Sequence, residues 1–347
     1  MFNKVLAIIA LAGVTHAASA QDSTSTPLTI SGSVDAYYKY DLEKSQNIPT
    51  SFATDQNSVS LGMIDVALKK TTGKASFVGE VSFGPRGQYQ SILNGDGTDG
   101  NSFHIQNLYA TYAFTDKFSM TAGYMGTFVG YEVISPVGNF NYSTSYLFTN
   151  GPFQNAGIKA NYALSSKIGL MAGLFNNEWN VYKADSLHGV STFGAQLSVS
   201  PVEGWSAYLN VLTGYSSGTI FDLTTSYQIT DKFKLGLNAA DWEAGKGADN
   251  VGYTGVALYP SYAITPGFGL GLRGEYFKTK KNGGVGYGPI ADEDVKALTI
   301  SANLKSGGLT FIPEFRFDNA SVNSFMKESG VLTKSASQFS FAVVYAF

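Results

Sequence analysis

The sequence predicts an all-β fold: an antiparallel up-and-down β-barrel of about sixteen strands that spans a membrane around a polar interior. Three observations carry this expectation. Stretches such as "LTFIPEFRFDNA" (309–320) put Phe311, Phe315 and Phe317 on one face of an extended chain and Glu314, Arg316 and Asp318 on the other, because successive strand side chains point oppositely. Tight turns and long loops alternate along the whole chain. The composition combines 39 Gly, 21 Tyr and 24 Phe with only 14% charged residues, which suits a barrel with aromatic girdles at both membrane interfaces.

Residues 1–20 come first and differ from the rest. Lys4 supplies a positive start, Val5 to Val14 an apolar run, and Ala18-Ser19-Ala20 a small-residue cleavage site. That pattern reads as a secretory signal removed after Ala20. The apolar run is too short for a membrane helix, which takes about 20 residues. Residues 21–347 read as one barrel domain. There is no cysteine, so closure rests on hydrogen bonding and packing. The formal charge of -3, or -4 once Lys4 is removed, argues against a nucleic-acid partner. The longest uncharged stretch, 133–158, is broken by Asn, Ser, Gly and Pro, so any membrane crossing is made by strands.

The first strand is "LTISGSVDAYYKYD" (28–41). Then a hairpin unit recurs: "YAFTDKFSMTAG" (112–123), "YALSSKIGLMAG" (162–173), "YQITDKFKLGLN" (227–238) and "YAITPGFGLGLR" (262–273). Their centres are short-turn material. Looser versions lie at 68–77, 197–209 and 303–311, and "QFSFAVVYAF" (338–347) is the last strand. Seven tight turns therefore join fourteen strands, and one strand at each end makes sixteen, with both ends on the tight-turn side. Long connections fall near 42–57, 85–101, 128–152, 176–190, 279–295 and 319–336, with shorter ones near 215–218 and 242–251. Short turns at one end and long loops at the other are the transmembrane-barrel pattern, and an even strand number closes the sheet without an edge, which lipid requires.

One phase of the strands is apolar: Phe77, Val81 and Phe83; Leu235, Leu237 and Ala239; Phe268, Leu270, Leu272 and Tyr276; Phe339, Phe341, Val343, Tyr345 and Phe347. The other carries Ser31, Ser33 and Asp35, Glu80, Lys159 and Asn161, Asp222, Arg273 and Glu275, Thr299 and Ser301, Gln338 and Ser340. A sealed soluble core could hardly neutralise those charges, so the rings are expected in lipid and the charges in a hydrated lumen. Pro313 lacks a ladder donor and sits mid-strand, so a bulge or local break is expected there.

Other motifs read blandly. "GLGLRG" (269–274) matches the dinucleotide fingerprint but lies inside a strand, where its glycines relieve crowding or let the sheet bend. "NGDGTDGN" (94–101) lacks the register of a calcium loop and reads as polar surface. "KTKK" (278–281) and "ADED" (291–294) are loop charges able to pair across their loop or meet lipopolysaccharide phosphates. His104 and His188 stand in no hydrolase or metalloprotease motif. The loop 128–152 has low charge (Glu132) and many aromatics, suiting either an inward constriction or an outer lid.

The aromatic end at Phe347, after Phe341 and Tyr345, resembles the C-terminal signal by which Gram-negative outer-membrane barrels are recognised for assembly. "STSYLFTNGPFQNAGIKANYAL" (143–164), "GLGLRGEYFKTKKNG" (269–283) and "FIPEFRFDN" (311–319) resemble the β-barrel porin-2 family, the OmpL-like porins. "PFQNAG" departs from it, carrying Gln154 and Asn155 where a His-Thr pair is common. The resemblance implies an outer-membrane pore of a Gram-negative bacterium for small hydrophilic solutes and ions, without a cofactor. Implied partners are outer-membrane lipid, lipopolysaccharide and the assembly machinery, with a homotrimer a candidate assembly. A barrel enzyme of phospholipase or protease type, or a hydrophobic-ligand channel, are the alternatives.

Candidate pore-lining or constriction residues are Asp35, Lys39, Glu80, Arg86, Glu132, Lys159, Arg273, Glu275, Glu314, Arg316 and Asp318. Candidate assembly-signal residues are Phe341, Tyr345 and Phe347. No catalytic or metal site is expected. Arg273 and Arg316 should stand at similar heights two strands apart, either setting a transverse field in the pore or pairing with carboxylates across the wall.

Overall fold

The computed structural model describes residues 25–48, 50–84 and 103–347. The barrel strands are β1 (Thr29–Asp41), β2 (Ser58–Thr72), β3 (Ala75–Phe83), β4 (Phe103–Ala113), β5 (Phe118–Gly126), β6 (Gln154–Ala163), β7 (Ile168–Asn176) and β8 (Val190–Val199). They continue as β9 (Trp205–Gly214), β10 (Gly218–Gln228), β11 (Phe233–Glu243), β12 (Gly252–Thr265), β13 (Phe268–Thr279), β14 (Asp294–Ser306) and β15 (Leu309–Ala320). Two short strands, β16 (Phe325–Met326) and β17 (Leu332–Thr333), form a separate hairpin, and β18 (Ser335–Ala346) completes the barrel.

Sixteen of these strands close into one antiparallel barrel in sequence order. Closure is made by β1 against β18, in register from Ser33–Ala346 to Asp41–Gln338. Two backbone bonds of 3.1 Å between Gly32 and Phe347 extend that seam. All seven expected tight turns join the expected strands. The β16–β17 hairpin has only two-residue strands, too short for a period-2 pattern to reveal.

The alternation sorts the faces as the sequence implies. On β15, Phe315 and Phe317 are each 46% exposed and outward, while Arg316 between them is 0% exposed and inward. Pro313 produces no bulge but does produce the expected local break, in the ladder toward β14. Its partner in β18 is Phe341, in regular register. Toward β14 the register also holds, from Ser301–Glu314 to Leu304–Phe311, but the two intervening pairs are missing. Pro260 on β12 does the same toward β13, between Leu258–Gly274 and Ser261–Gly271. A proline without an N–H opens the ladder on one side only, and the neighbouring hairpins hold the frame.

The interior is where the sequence reading was incomplete. Inward positions of the loop-side half are not all polar: Phe175, Leu212, Ile220, Tyr253, Phe277 and Val295 are buried there. They pack with Ile48, Val129, Tyr146 and Leu147 from the loops. The barrel therefore has an apolar core of its own, between wall and inserted loops.

Candidate functional site

The third long loop, 127–153, folds into the barrel, which settles the choice between constriction and lid. It carries a 3-10 turn at Pro136–Gly138 and one short helix, α1 (Tyr146–Asn150). Its aromatic rings are seated by glycines on the wall. A Cβ on Gly271 would overlap the ring of Phe140, and one on Gly236 would overlap Tyr131. The "GLGLRG" stretch thus serves close approach of a loop to a strand. Tyr131 also stacks on Tyr259, with centroids 4.4 Å apart.

The charged face of β13–β15 grips the loop backbone. Arg273 and Arg316 lie in one cross-strand row, both opposite Thr299. Arg273 donates to Glu132 Oε1 at 2.7 Å, to the Ser143 carbonyl at 2.5 Å and to the Thr144 carbonyl at 3.3 Å. Arg316 forks onto Asp318 at 2.8 and 3.0 Å and donates to the Thr144 carbonyl at 2.8 Å. Its guanidinium also sits 5.0 Å from the Tyr146 ring centre. The carboxylates take the complementary groups. Glu314 accepts from Tyr142 and Ser143 N–H at 2.8 and 3.1 Å. Glu275 accepts from Tyr146 and Leu147 N–H at 3.0 and 2.9 Å, so a wall carboxylate satisfies the orphan donors that open α1. Tyr146 reaches Asp318 at 2.7 Å, and Tyr142 reaches Asp35 at 2.5 Å.

The first loop, 42–57, backs this layer. Thr50 accepts from Arg316 at 3.0 Å, and the Ser51 carbonyl from Thr144 at 3.0 Å. Phe52 packs on Phe148 and Phe153. Lys39 pairs with Asp41 at 3.0 Å and donates to the Asn47 carbonyl. Asn47 in turn exchanges two 2.9 Å bonds with the Met326 backbone on the β16–β17 hairpin. At the surface, Lys44 meets Glu328 at 3.1 Å, a contact that raises the lysine pKa.

Asp35, Lys39, Glu80, Glu275, Glu314, Arg273, Arg316 and Asp318 are inward on the strands, and Glu132 on the loop; all nine are buried. The expectation that these charges face a hydrated lumen is therefore corrected. They lie beneath or within the inserted loops, because a loop backbone supplies the amides and carbonyls that water would otherwise provide. Glu80, away from the inserted layer, is covered by Asn107, which donates at 2.6 Å. Lys159 is inward on β6 and half-exposed. Arg86, the 94–101 loop and the 1–20 segment lie outside the described residues. Phe341, Tyr345 and Phe347 are outward and partly exposed.

The remaining motifs are structural. His188 bonds Asp185 at 3.0 Å and stacks on Tyr215 at 4.7 Å. Asp185 also takes the His188 and Leu187 N–H groups, and these bonds, the His188 backbone first, hold its carboxyl below the usual carboxylate range. Of the "KTKK" charges, Lys278 pairs across its loop with Asp292 at 3.0 Å, and Lys280 reaches Asp241 on β11 at 2.7 Å. Gln154 donates to the Gln106 carbonyl, joining β6 to β4.

A closed barrel, apolar outside and polar inside, with its third loop folded into the lumen, defines an outer-membrane diffusion pore. The chain belongs to the family described as "Putative beta-barrel porin-2, OmpL-like", which matches residues 27–347. It is similar in fold to the outer-membrane channel DcaP of Acinetobacter baumannii, with a TM-score of 0.62 and 14% identity over 92% of this chain and 97% of that one. The anion-selective porin from Comamonas acidovorans gives 0.64 at 12% identity, over 93% and 100%. Pseudomonas putida OprB gives 0.63 at 12% identity, over 92% and 94%. No curated protein matches the sequence. The protein is thus a porin of the Gram-negative outer membrane, passing solutes by diffusion.

Proposed function

We propose that the protein is a constricted general-diffusion pore for small hydrophilic solutes and ions, its cross-section set by the loop 127–153. The observation that carries this reading is the grip of Arg273, Glu275, Glu314 and Arg316 on the loop backbone. Seven bonds join a formally charged wall group to a main-chain N–H or C=O of residues 142–147. Charge-assisted bonds of this kind are worth roughly 1.5–3 kcal/mol each when buried, enough to fix the loop as part of the wall.

In this reading Asp35, Glu132 and Asp318 are positioning residues of the constriction, and Lys39 steadies the first loop behind it. Glu80, covered by Asn107, and the half-exposed Lys159 belong to the rest of the wall. Residues 1–20 are a cleaved secretory signal, and Phe341, Tyr345 and Phe347 present the outward aromatic pattern read by the assembly machinery. A homotrimer in contact with lipopolysaccharide is the assembly we favour; a Vibrio cholerae OmpT of similar fold is described in a trimer form. The pore is tested by reconstituting the full chain in planar bilayers and in liposomes challenged with sugars of increasing size. Discrete conductance steps with a low size cut-off are expected. A folded barrel that never conducts refutes the reading.

A further inference from the structure

Inward carboxylates and inward cations are treated differently by this fold. Asp35, Asp41, Asp65, Glu80, Asp222, Glu275, Glu314 and Asp318 are inward carboxylates of the described strands, and none exceeds 8% exposure. Each accepts hydrogen bonds from protein groups. Asp222, for example, takes the Gly130 N–H at 3.1 Å and the amides of Asn210 and Asn238 at 2.7 and 2.5 Å. Arg273, Arg316 and Lys39 are sealed beside their carboxylates.

Lys159 is not sealed in this way, nor is Lys69 near a tight turn of β2. Lys159 is inward on β6, opposite Thr121 on β5 and Gly173 on β7. It keeps solvent exposure, and among the described residues it makes no hydrogen bond or ion pair. The inward faces of β4 to β9 carry no other formal charge among the described residues: their polar positions are occupied by residues such as Thr111, Asn161, Gln196 and Tyr208. The exposed side of the loop 127–153 is likewise uncharged, with Val133 and Val137 uncovered. On β11, Lys234 repeats the situation of Lys159 nearer a tight turn, inward, half-exposed and without an ion pair.

We infer that Lys159 is a selectivity-determining residue that makes the pore prefer anions, with Lys234 extending the same preference toward the tight-turn end. This rests on the pore reading above. The competing field comes from the buried carboxylates, which outnumber the buried cations. Distance and screening decide between them. A solute touching an ammonium at about 4 Å feels most of its charge, whereas a charge one loop thickness away, about 10 Å, lies a full Debye length off at physiological salt. A carboxylate beneath the loop is weakened by that distance, and protein donors, like the Asn107 amide on Glu80, offset part of the rest. The class of solute favoured is the small inorganic or carboxylate anion.

The experiment is the reversal potential of the full-length barrel in a planar bilayer under a KCl gradient. Wild type is expected to favour chloride. Lys159→Gln should lower the chloride-to-potassium permeability ratio by about fivefold or more, since one unit charge at contact distance in water is worth about fivefold on each ion with opposite sign. Lys159→Glu should lower it further, and Lys159→Arg should keep it. Heat-modifiable mobility identifies folded barrels for each variant. A wild type that favours potassium, or a conducting Lys159→Glu barrel with an unchanged reversal potential, overturns the assignment while leaving the pore intact. A wild type that does not conduct overturns both.

Discussion

Arg273 on the barrel wall and Glu132 on the inserted loop meet at 2.7 Å across 141 residues of sequence, with side chains 0% and 3% exposed. Neither group faces the lumen water. The pair fastens a loop to a strand, and the charges that seemed to call for a hydrated interior are used to hold the constriction in place. Removing one partner would leave the other charged and buried, which costs about 3–5 kcal/mol.

Glu314 tests the backbone half of this grip. Glu314→Leu removes the acceptor for Tyr142 and Ser143 N–H, and each stranded donor costs about 1–3 kcal/mol. The expected outcome is faster hydrogen exchange at those two amides, with β14–β15 protection retained. Glu314→Gln, which keeps one acceptor oxygen, should fall between. Unchanged exchange in the leucine variant would show that the loop is held by other contacts.

Gly271 tests the steric half. Gly271→Leu should expel Phe140 from its seat and lift the loop segment around Asn141, which is 3% exposed and donates to Ser301 at 2.7 Å. The chain has no cysteine, so Asn141→Cys gives a single reporter. Its reaction with a water-soluble thiol reagent should be slow alone and many-fold faster beside Gly271→Leu. Equal rates would dissociate the glycine from loop placement.

The assignment of faces is tested within one strand. Leu209 on β9 is outward and 54% exposed, and Tyr208 beside it is inward. Leu209→Arg should cost about 2–4 kcal/mol of barrel stability near the membrane midplane, and Tyr208→Arg much less. Urea titrations giving equal costs would contradict the phase.

The loop 177–189 should respond to acid. Its staple is Asp185, whose carboxyl is held below its ordinary range by His188. A group with a lowered folded pKa contributes stability above its unfolded value and loses it as pH falls through the folded value. Exchange at the Leu187 and His188 amides should therefore rise below the usual carboxylate range. Asp185→Asn, which keeps the Oδ1 acceptor without a titrating carboxyl, should show no such step.

Strand number, turn positions and facing were legible in the sequence because a membrane barrel repeats one simple pattern. The alternation at Phe315, Arg316 and Phe317 states which side is lipid. The destination of the loop was not legible. An inward Glu314 looks the same in sequence whether it meets water or the N–H groups of Tyr142 and Ser143, since those partners lie some 170 residues away. The clues that were present are the inward glycines Gly269 and Gly271, which leave room for a ring, and the uncharged, aromatic character of 133–158. Apolar inward residues such as Phe277, two positions from Glu275, pointed the same way: no water-filled lumen needs a phenylalanine there. The unchanged register at Pro313 was hidden because both neighbouring hairpins, not the strand alone, fix it.

The most direct test of the account is single-channel conductance of the Arg273→Ser, Arg316→Ser double variant. Barrels are first selected for folded, heat-modifiable mobility, then recorded in symmetrical salt beside wild type. With both guanidiniums gone, the carbonyls of Ser143 and Thr144 lose their wall donors and the loop 127–153 loosens. Folded double-variant channels should show larger and noisier conductance than wild type. Folded channels with wild-type conductance and noise would contradict the claim that these arginines hold the constriction.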